Sequence, residues 1–120
     1  NRARCFLRIR IISTYELDYT DQETVCRGFI AFNNELEQPV PAVMIAHDWG
    51  GRGQEVCDKA CQLASLGYVG FALDMYGLAQ TAIEKTEKRA LMSPLVNERS
   101  RLARRIKAAF DCISQLPQVD

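Results

Sequence analysis

Apolar and polar positions change period several times along the chain, and each change predicts a different element. Tyr15-Glu16-Leu17-Asp18-Tyr19 alternates large apolar with acidic side chains, the period of a half-exposed strand. Thr20 to Glu23 is polar and reads as a turn. Thr24 to Phe32 is rich in β-formers, so the two runs predict an antiparallel hairpin. Asn33 to Pro41 reads as a loop, with Pro39 and Pro41 closing it. Ala42 to His47 is then almost continuously apolar, as expected of a strand covered on both faces. A glycine-rich turn, Asp48 to Gly53, comes next. Val56, Ala60, Leu63 and Ala64 recur at helical spacing, and Gly67 is a natural stop, which predicts a helix over 55–66. Tyr68 to Asp74 is a second apolar strand. Residues 42–74 therefore predict a strand–helix–strand unit with parallel strands and a right-handed crossover.

Beyond Met75 to Gln80, a loop, the pattern predicts a polar helix over 81–92, punctuated by Ser93-Pro94. A longer helix is predicted over 97–116. Its stripe is Leu102, Ile106, Ala109, Phe110, Ile113 and Leu116, and Arg101, Arg104, Arg105 and Lys107 form a solvated opposite face. The expected class is α/β: a leading hairpin, a parallel strand–helix–strand unit and a long helix. Two parallel strands alone leave open edges, so self-association through a sheet edge is an expectation, as is a missing C-terminal half.

Composition narrows this picture. The 120 residues carry 15 basic and 15 acidic side chains, which disfavours a dedicated nucleic-acid partner. No apolar run is long enough for a membrane span. The five cysteines, Cys5, Cys26, Cys57, Cys61 and Cys112, form no CxxC pair, and reduced thiols in a cytoplasmic protein are the expectation. Cys57 and Cys61 share a helix face, but a structural zinc needs four ligands, so no metal site is expected. Residues 1–13 are set apart as an arginine-rich extension. Its Cys5–Ile12 alternation favours a strand-like segment over a targeting leader. The single domain is placed at 14–120.

In open α/β sheets ligands sit beyond the carboxyl ends of the parallel strands. Two segments fall there: His47-Asp48-Trp49-Gly50-Gly51 and Asp74-Met75-Tyr76-Gly77. One reading of the surrounding Gly51-Arg52-Gly53 is a dinucleotide turn, with Asp74 on a ribose, although Val56 replaces the third glycine.

The string PAVMIAHDWGGRGQEVCDKACQLASLGYVGFALDMYG, residues 41–77, resembles the dienelactone hydrolase family of α/β-hydrolases. That family pairs a proline-led strand ending His-(Glu/Asp)-Trp-x-Gly with a strand ending Asp-(Leu/Met)-Tyr-Gly. Weaker similarity runs from about Thr14 to Asp120. The resemblance implies the N-terminal part of an α/β-hydrolase fold, a covalent acyl-enzyme and no metal or cofactor. It implies that the Trp49 backbone N–H is one of two oxyanion donors and that Asp48 lies where an acid contacts the nucleophile. His47, Gly50 and Tyr76 would line the substrate site. The family's elbow, Gly-x-Cys-x-Gly or its serine form, has no counterpart among the seven glycines, so no triad is expected here. Asp48 is shorter than the usual glutamate, Gly50 replaces a frequent aromatic, and Leu78 and Ala79 follow Gly77 where dienelactone enzymes often carry an arginine.

The leading expectation is therefore a dienelactone-hydrolase-like esterase acting on a small-molecule ester or lactone, with this chain supplying the oxyanion loop and inactive alone. The alternatives are a non-catalytic interaction protein made from a truncated hydrolase, and the nucleotide-binding domain. Several of these side chains also have a plain structural role: His47 fixing the loop, Asp48 capping the turn, Tyr76 packing, and Asp74 serving the turn.

Overall fold

A computed structural model describes residues 11–120. The hairpin forms from β1 (Ile12–Asp21) and β2 (Thr24–Asn33), paired over their full length. Its turn is tighter than the sequence pattern predicts. Thr20 and Asp21 stay in β1, and only Gln22 and Glu23 turn, with Gln22 at φ +55°. Ile12 and Ser13 also belong to β1, inside the segment expected to be an extension; residues 1–10 lie outside the described residues.

The crossover unit is present as β3 (Ala42–Ile45), α1 (Gln54–Ser65) and β4 (Val69–Ala72), with β3 and β4 parallel. The sheet order is β1-β2-β4-β3. The hairpin is thus part of the main sheet, because β2 pairs antiparallel with β4 along Phe29–Ala31. This placement decides burial. All four residues of β4 are buried, as expected, but β3 is an edge strand and Val43 is exposed, against the expectation of a strand covered on both faces.

Alternating side chains of the two inner strands feed two cores on opposite faces of the sheet. On one face Ala31 meets Ala60 and Ala64 of α1, with Phe29 and Ile45 around them. Small residues let this helix approach closely. A Cβ on Gly70 would collide with the Ala60 backbone. The helix ends as its glycine predicts: Gly67, at φ +97°, and Tyr68 donate their N–H groups to the Ala64 and Leu63 carbonyls.

The second face carries the larger core, where Tyr19, Ile30, Phe71 and Leu73 pack against Leu95, Ala109 and Ile113. These last come from α2 (Lys85–Asn97) and α3 (Arg99–Ser114). The predicted helix over 81–92 is shifted along the chain. Thr81 instead bridges Gly51, and α2 continues through Pro94. That proline costs one internal hydrogen bond, and packing of Leu95 into the core keeps the helix together. Among the described residues no helix is long and apolar enough to cross a membrane.

Helix α3 departs most from its predicted stripe. Ala109 and Ile113 are buried, yet Leu102, Ile106 and Phe110 are exposed. Arg105, expected on the solvated face, is buried because it has partners there. Its Nε meets Asp21 Oδ2 at 3.1 Å, Nη1 donates to the Met75 carbonyl at 2.7 Å, and Nη2 reaches Thr24 Oγ1 at 3.2 Å. Arg104 Nε takes the other Asp21 oxygen at 2.6 Å. Burial alone would raise the Asp21 pKa, but the hydrogen bonds and charges of the two arginines hold it below the ordinary 3.8.

This cluster gives two expectations. Arg105→Ala leaves a buried carboxylate half-paired and the Met75 carbonyl bare, and should cost about 3 kcal/mol in urea unfolding; a loss under about 1 kcal/mol would mean the cluster is slack. A folded-state pKa below the unfolded one gives stability that is full above the unfolded value. Asp21 should therefore contribute above about pH 4, with the contribution falling away as pH drops below it. In Asp21→Asn the acid limb of the stability–pH curve should be shallower than in the parent chain.

Candidate active site

The parallel strands β3 and β4 end side by side, and the segments after them are tied together by one carboxylate. Asp74 is completely buried. Its Oδ1 accepts the N–H groups of Tyr76 and Gly77 at 3.0 and 3.1 Å. Its Oδ2 accepts those of Arg27 and Ala79, both at 2.8 Å. The Tyr19 hydroxyl closes the arrangement from behind, receiving the Asp74 N–H and donating to the Asp74 carbonyl, both at 2.9 Å. A donor-rich cage of this kind is what a buried carboxylate requires. It bends residues 77–79 into three successive left-handed conformations, two of them at the non-glycine residues Leu78 and Ala79.

The loop after β3 is fixed against the same platform. The Met75 N–H donates to His47 Nε2 at 3.0 Å, so Nε2 is the unprotonated ring nitrogen. Nδ1 then carries the proton and donates to the Asp48 carbonyl at 2.6 Å. Asp48 Oδ1 accepts the Gly50 N–H at 2.8 Å, an Asx turn. The Tyr76 hydroxyl donates to the Trp49 carbonyl at 2.9 Å, and its ring lies 4.9 Å from the His47 ring. Burial raises the Tyr76 pKa, so the hydroxyl stays a donor at neutral pH. Gly51, at φ +99°, is pressed against Gln80, and its place in the loop admits no side chain.

Among the described residues, no acceptor takes the Trp49 N–H. Its carbonyl and both neighbouring turns are held while its donor is left open. Beside it lies a cleft of about 190 Å³ lined by His47, Asp48, Trp49, Met75 and Tyr76, and walled by Met92, Leu95, Val96 and Leu102. The loop is thus buttressed beside an apolar cleft at the carboxyl ends of the parallel strands, where ligands of such sheets bind.

Comparisons with known proteins bear on the family and the fold. The family model described as the dienelactone hydrolase family matches residues 26–120. The chain belongs to the dienelactone hydrolase family. Among solved structures of similar fold is a protein named m3DLH, with a TM-score of 0.87 and 25% identity, over 92% of this chain and 46% of that one. A dienelactone hydrolase-like promiscuous phosphotriesterase from metagenomic libraries is 28% identical with a TM-score of 0.87, over the same shares. A dienelactone hydrolase-like structure from Klebsiella pneumoniae, 16% identical with a TM-score of 0.75, shares the fold. The chain thus spans about half the length of these relatives. No curated protein matches it.

Of the five positions singled out in the sequence of this dienelactone hydrolase family member, the structure puts His47, Asp48, Trp49 and Tyr76 on one cleft, whereas Gly50 lines a neighbouring cavity with Asp48, Gly51 and Val56. The plain roles of two are visible: His47 fixes the loop and Asp48 caps its turn. The dinucleotide alternative loses the acid it would place on a ribose. Asp74 is sealed inside, and Arg52 turns away to Glu16 Oε2 at 2.6 Å and Cys57 Sγ at 3.0 Å. Burial pushes the thiol of Cys26 up to about 11 and raises those of Cys57, Cys61 and Cys112. Cys5 lies outside the described residues. Asp74 does serve the turn, as the sequence suggested, but sequence reasoning missed its second tie, to the Arg27 N–H on β2. It also missed the Met92–Leu102 wall, which depends on where α2 and α3 cross.

Asp74→Asn replaces one acceptor oxygen with an NH₂ facing two N–H donors. It should cost about 3 kcal/mol, with faster amide exchange at Tyr76, Gly77 and Ala79. Unchanged protection at these amides would show that the loop is held by other contacts.

Proposed function

We propose that this chain supplies the oxyanion loop of an ester or lactone hydrolase that works through a covalent acyl-enzyme. The open Trp49 N–H, with the Trp49 carbonyl tied to Tyr76, is the observation that carries this reading. A nucleophile adds to the substrate carbonyl and forms a tetrahedral oxyanion. The Trp49 N–H donates to that oxygen, the alcohol departs with a proton, and water then releases the acid. No two glycines in the chain frame a cysteine or serine as an elbow would, so the nucleophile must come from polypeptide outside these 120 residues. The share of the relatives that is covered is in keeping with this. On this reading the chain alone is inactive. Asp48 Oδ2, which no turn hydrogen bond uses, is on this reading the atom left to contact the nucleophile.

Sequencing the transcript past Asp120 tests the first part. The expected result is a strand followed by Gly-x-Cys-x-Gly or Gly-x-Ser-x-Gly, with a later aspartate and histidine. A stop codon there would favour the non-catalytic interaction protein, for which the exposed Leu102, Ile106 and Phe110 provide a surface. In the polypeptide carrying the elbow, Tyr76→Phe frees the Trp49 carbonyl and should lower kcat on an aryl ester about tenfold, less than outright loss of an oxyanion donor. KM should stay within about twofold. An effect on KM alone would assign Tyr76 to substrate packing.

A further inference from the structure

Resting on the hydrolase reading, the cleft also has a legible preference. Its wall, Met92, Leu95, Val96 and Leu102, is wholly apolar and lines the same cleft as Trp49. Leu95 is buried, whereas Val96 and Leu102 retain exposed surface that a ligand can cover. Among the described residues, the one ionised side chain lining the cleft is Asp48, an acid, and no arginine or lysine lines it. Two of the described cations touch lining residues without themselves lining the cleft: Lys88 has its Nζ 5.3 Å from the centroid of the Trp49 ring, and Arg105, bound to the Met75 carbonyl, is paired with Asp21. A carboxylate entering here would leave water, meet no cation and approach a like charge. An alkyl chain would instead cover the exposed parts of Val96 and Leu102.

We infer that the site takes neutral esters or lactones whose alkyl chain lies against Met92, Val96 and Leu102, and discriminates against substrates bearing a carboxylate. Catalysis is not needed to test this. Trp49 is the sole tryptophan and lines the cleft, so its emission reports occupancy in the full chain. Two probes share one ring: butyrolactone carrying a hexyl chain and butyrolactone carrying an acetate group. The expected result is a saturable change in emission with the hexyl lactone, binding at least about tenfold tighter than the acetate lactone.

Tighter binding of the acetate lactone would overturn the substrate class while leaving an occupied hydrolase cleft. No response to either probe would overturn the class and the cleft as substrate site together. Val96→Lys supplies the missing cation at an exposed position near the end of α2, with folding checked by circular dichroism. It should weaken the hexyl lactone about fivefold or more and strengthen the acetate lactone. Unchanged affinity for the hexyl lactone in this variant would place the probe elsewhere and sink the proposal.

Discussion

The structure around the site depends on one buried carboxylate. Asp74 gathers backbone donors from its own loop and from Arg27 on β2. An isolated charge at that depth would be costly, and the cage makes it tolerable. The same cage forces the loop after β4 into a conformation that Leu78 and Ala79 would not adopt unaided. That loop, once set, presents the Met75 N–H to His47 and the Tyr76 hydroxyl to Trp49. The order of dependence runs from Asp74 outward. The loop after β3 contributes its own Asx turn, but its orientation comes from residues fixed by Asp74.

A second charged cluster joins this platform from the other side. Arg105 holds the Met75 carbonyl while the Met75 N–H holds His47, so one peptide neighbourhood is gripped at both polar ends. Asp21 and Thr24, at the two ends of the hairpin turn, anchor the same guanidinium. The hairpin is therefore more than a cover for β4. Through Arg105 it steadies the loops at its own end of the sheet. Both clusters reinforce local order rather than supply net folding energy, since buried ion pairs seldom exceed the cost of their own desolvation. On the proposed hydrolase reading, their contribution is a loop whose donor does not have to reorganise when charge develops.

How much of this could be read from the sequence differs by element. The hairpin, the crossover unit and the Gly67 stop were legible because each is set by local period or by a backbone conformation that one residue type satisfies. That His47 to Gly50 and Tyr76 follow the ends of β3 and β4 was legible because motif spacing and strand ends coincide there. The edge position of β3 was not. Ala42 to Ile45 is as apolar as β4, and only the pairing of β2 with β4 decides which strand lies inside. Arg105 was illegible for a similar reason: its partners Asp21, Thr24 and Met75 are distant in sequence and come from three segments. A charged residue on a helix reads as solvated until such partners are known.

The exposed stripe of α3 and the edge of β3 belong to the same physical account. Leu102, Ile106 and Phe110 recur one turn apart on a helix whose other face is already packed. Beside them Val119 forms a parallel bridge to Val40, with Asp120 donating to the Val40 carbonyl at 2.9 Å. The chain thus returns from α3 alongside β3, in the direction a further parallel strand takes. A strand there would cover the open β3 edge, and a helix packed beside that strand would cover Ile106 and Phe110 of the α3 stripe, leaving Leu102 to the cleft. That completion also sits naturally with catalysis. Parallel strands place their carboxyl ends together, so a strand added beside β3 would end next to the loop of Trp49. The same addition that removes the exposed edge would bring its terminal residues to the open N–H, which links closure of the sheet to completion of the site.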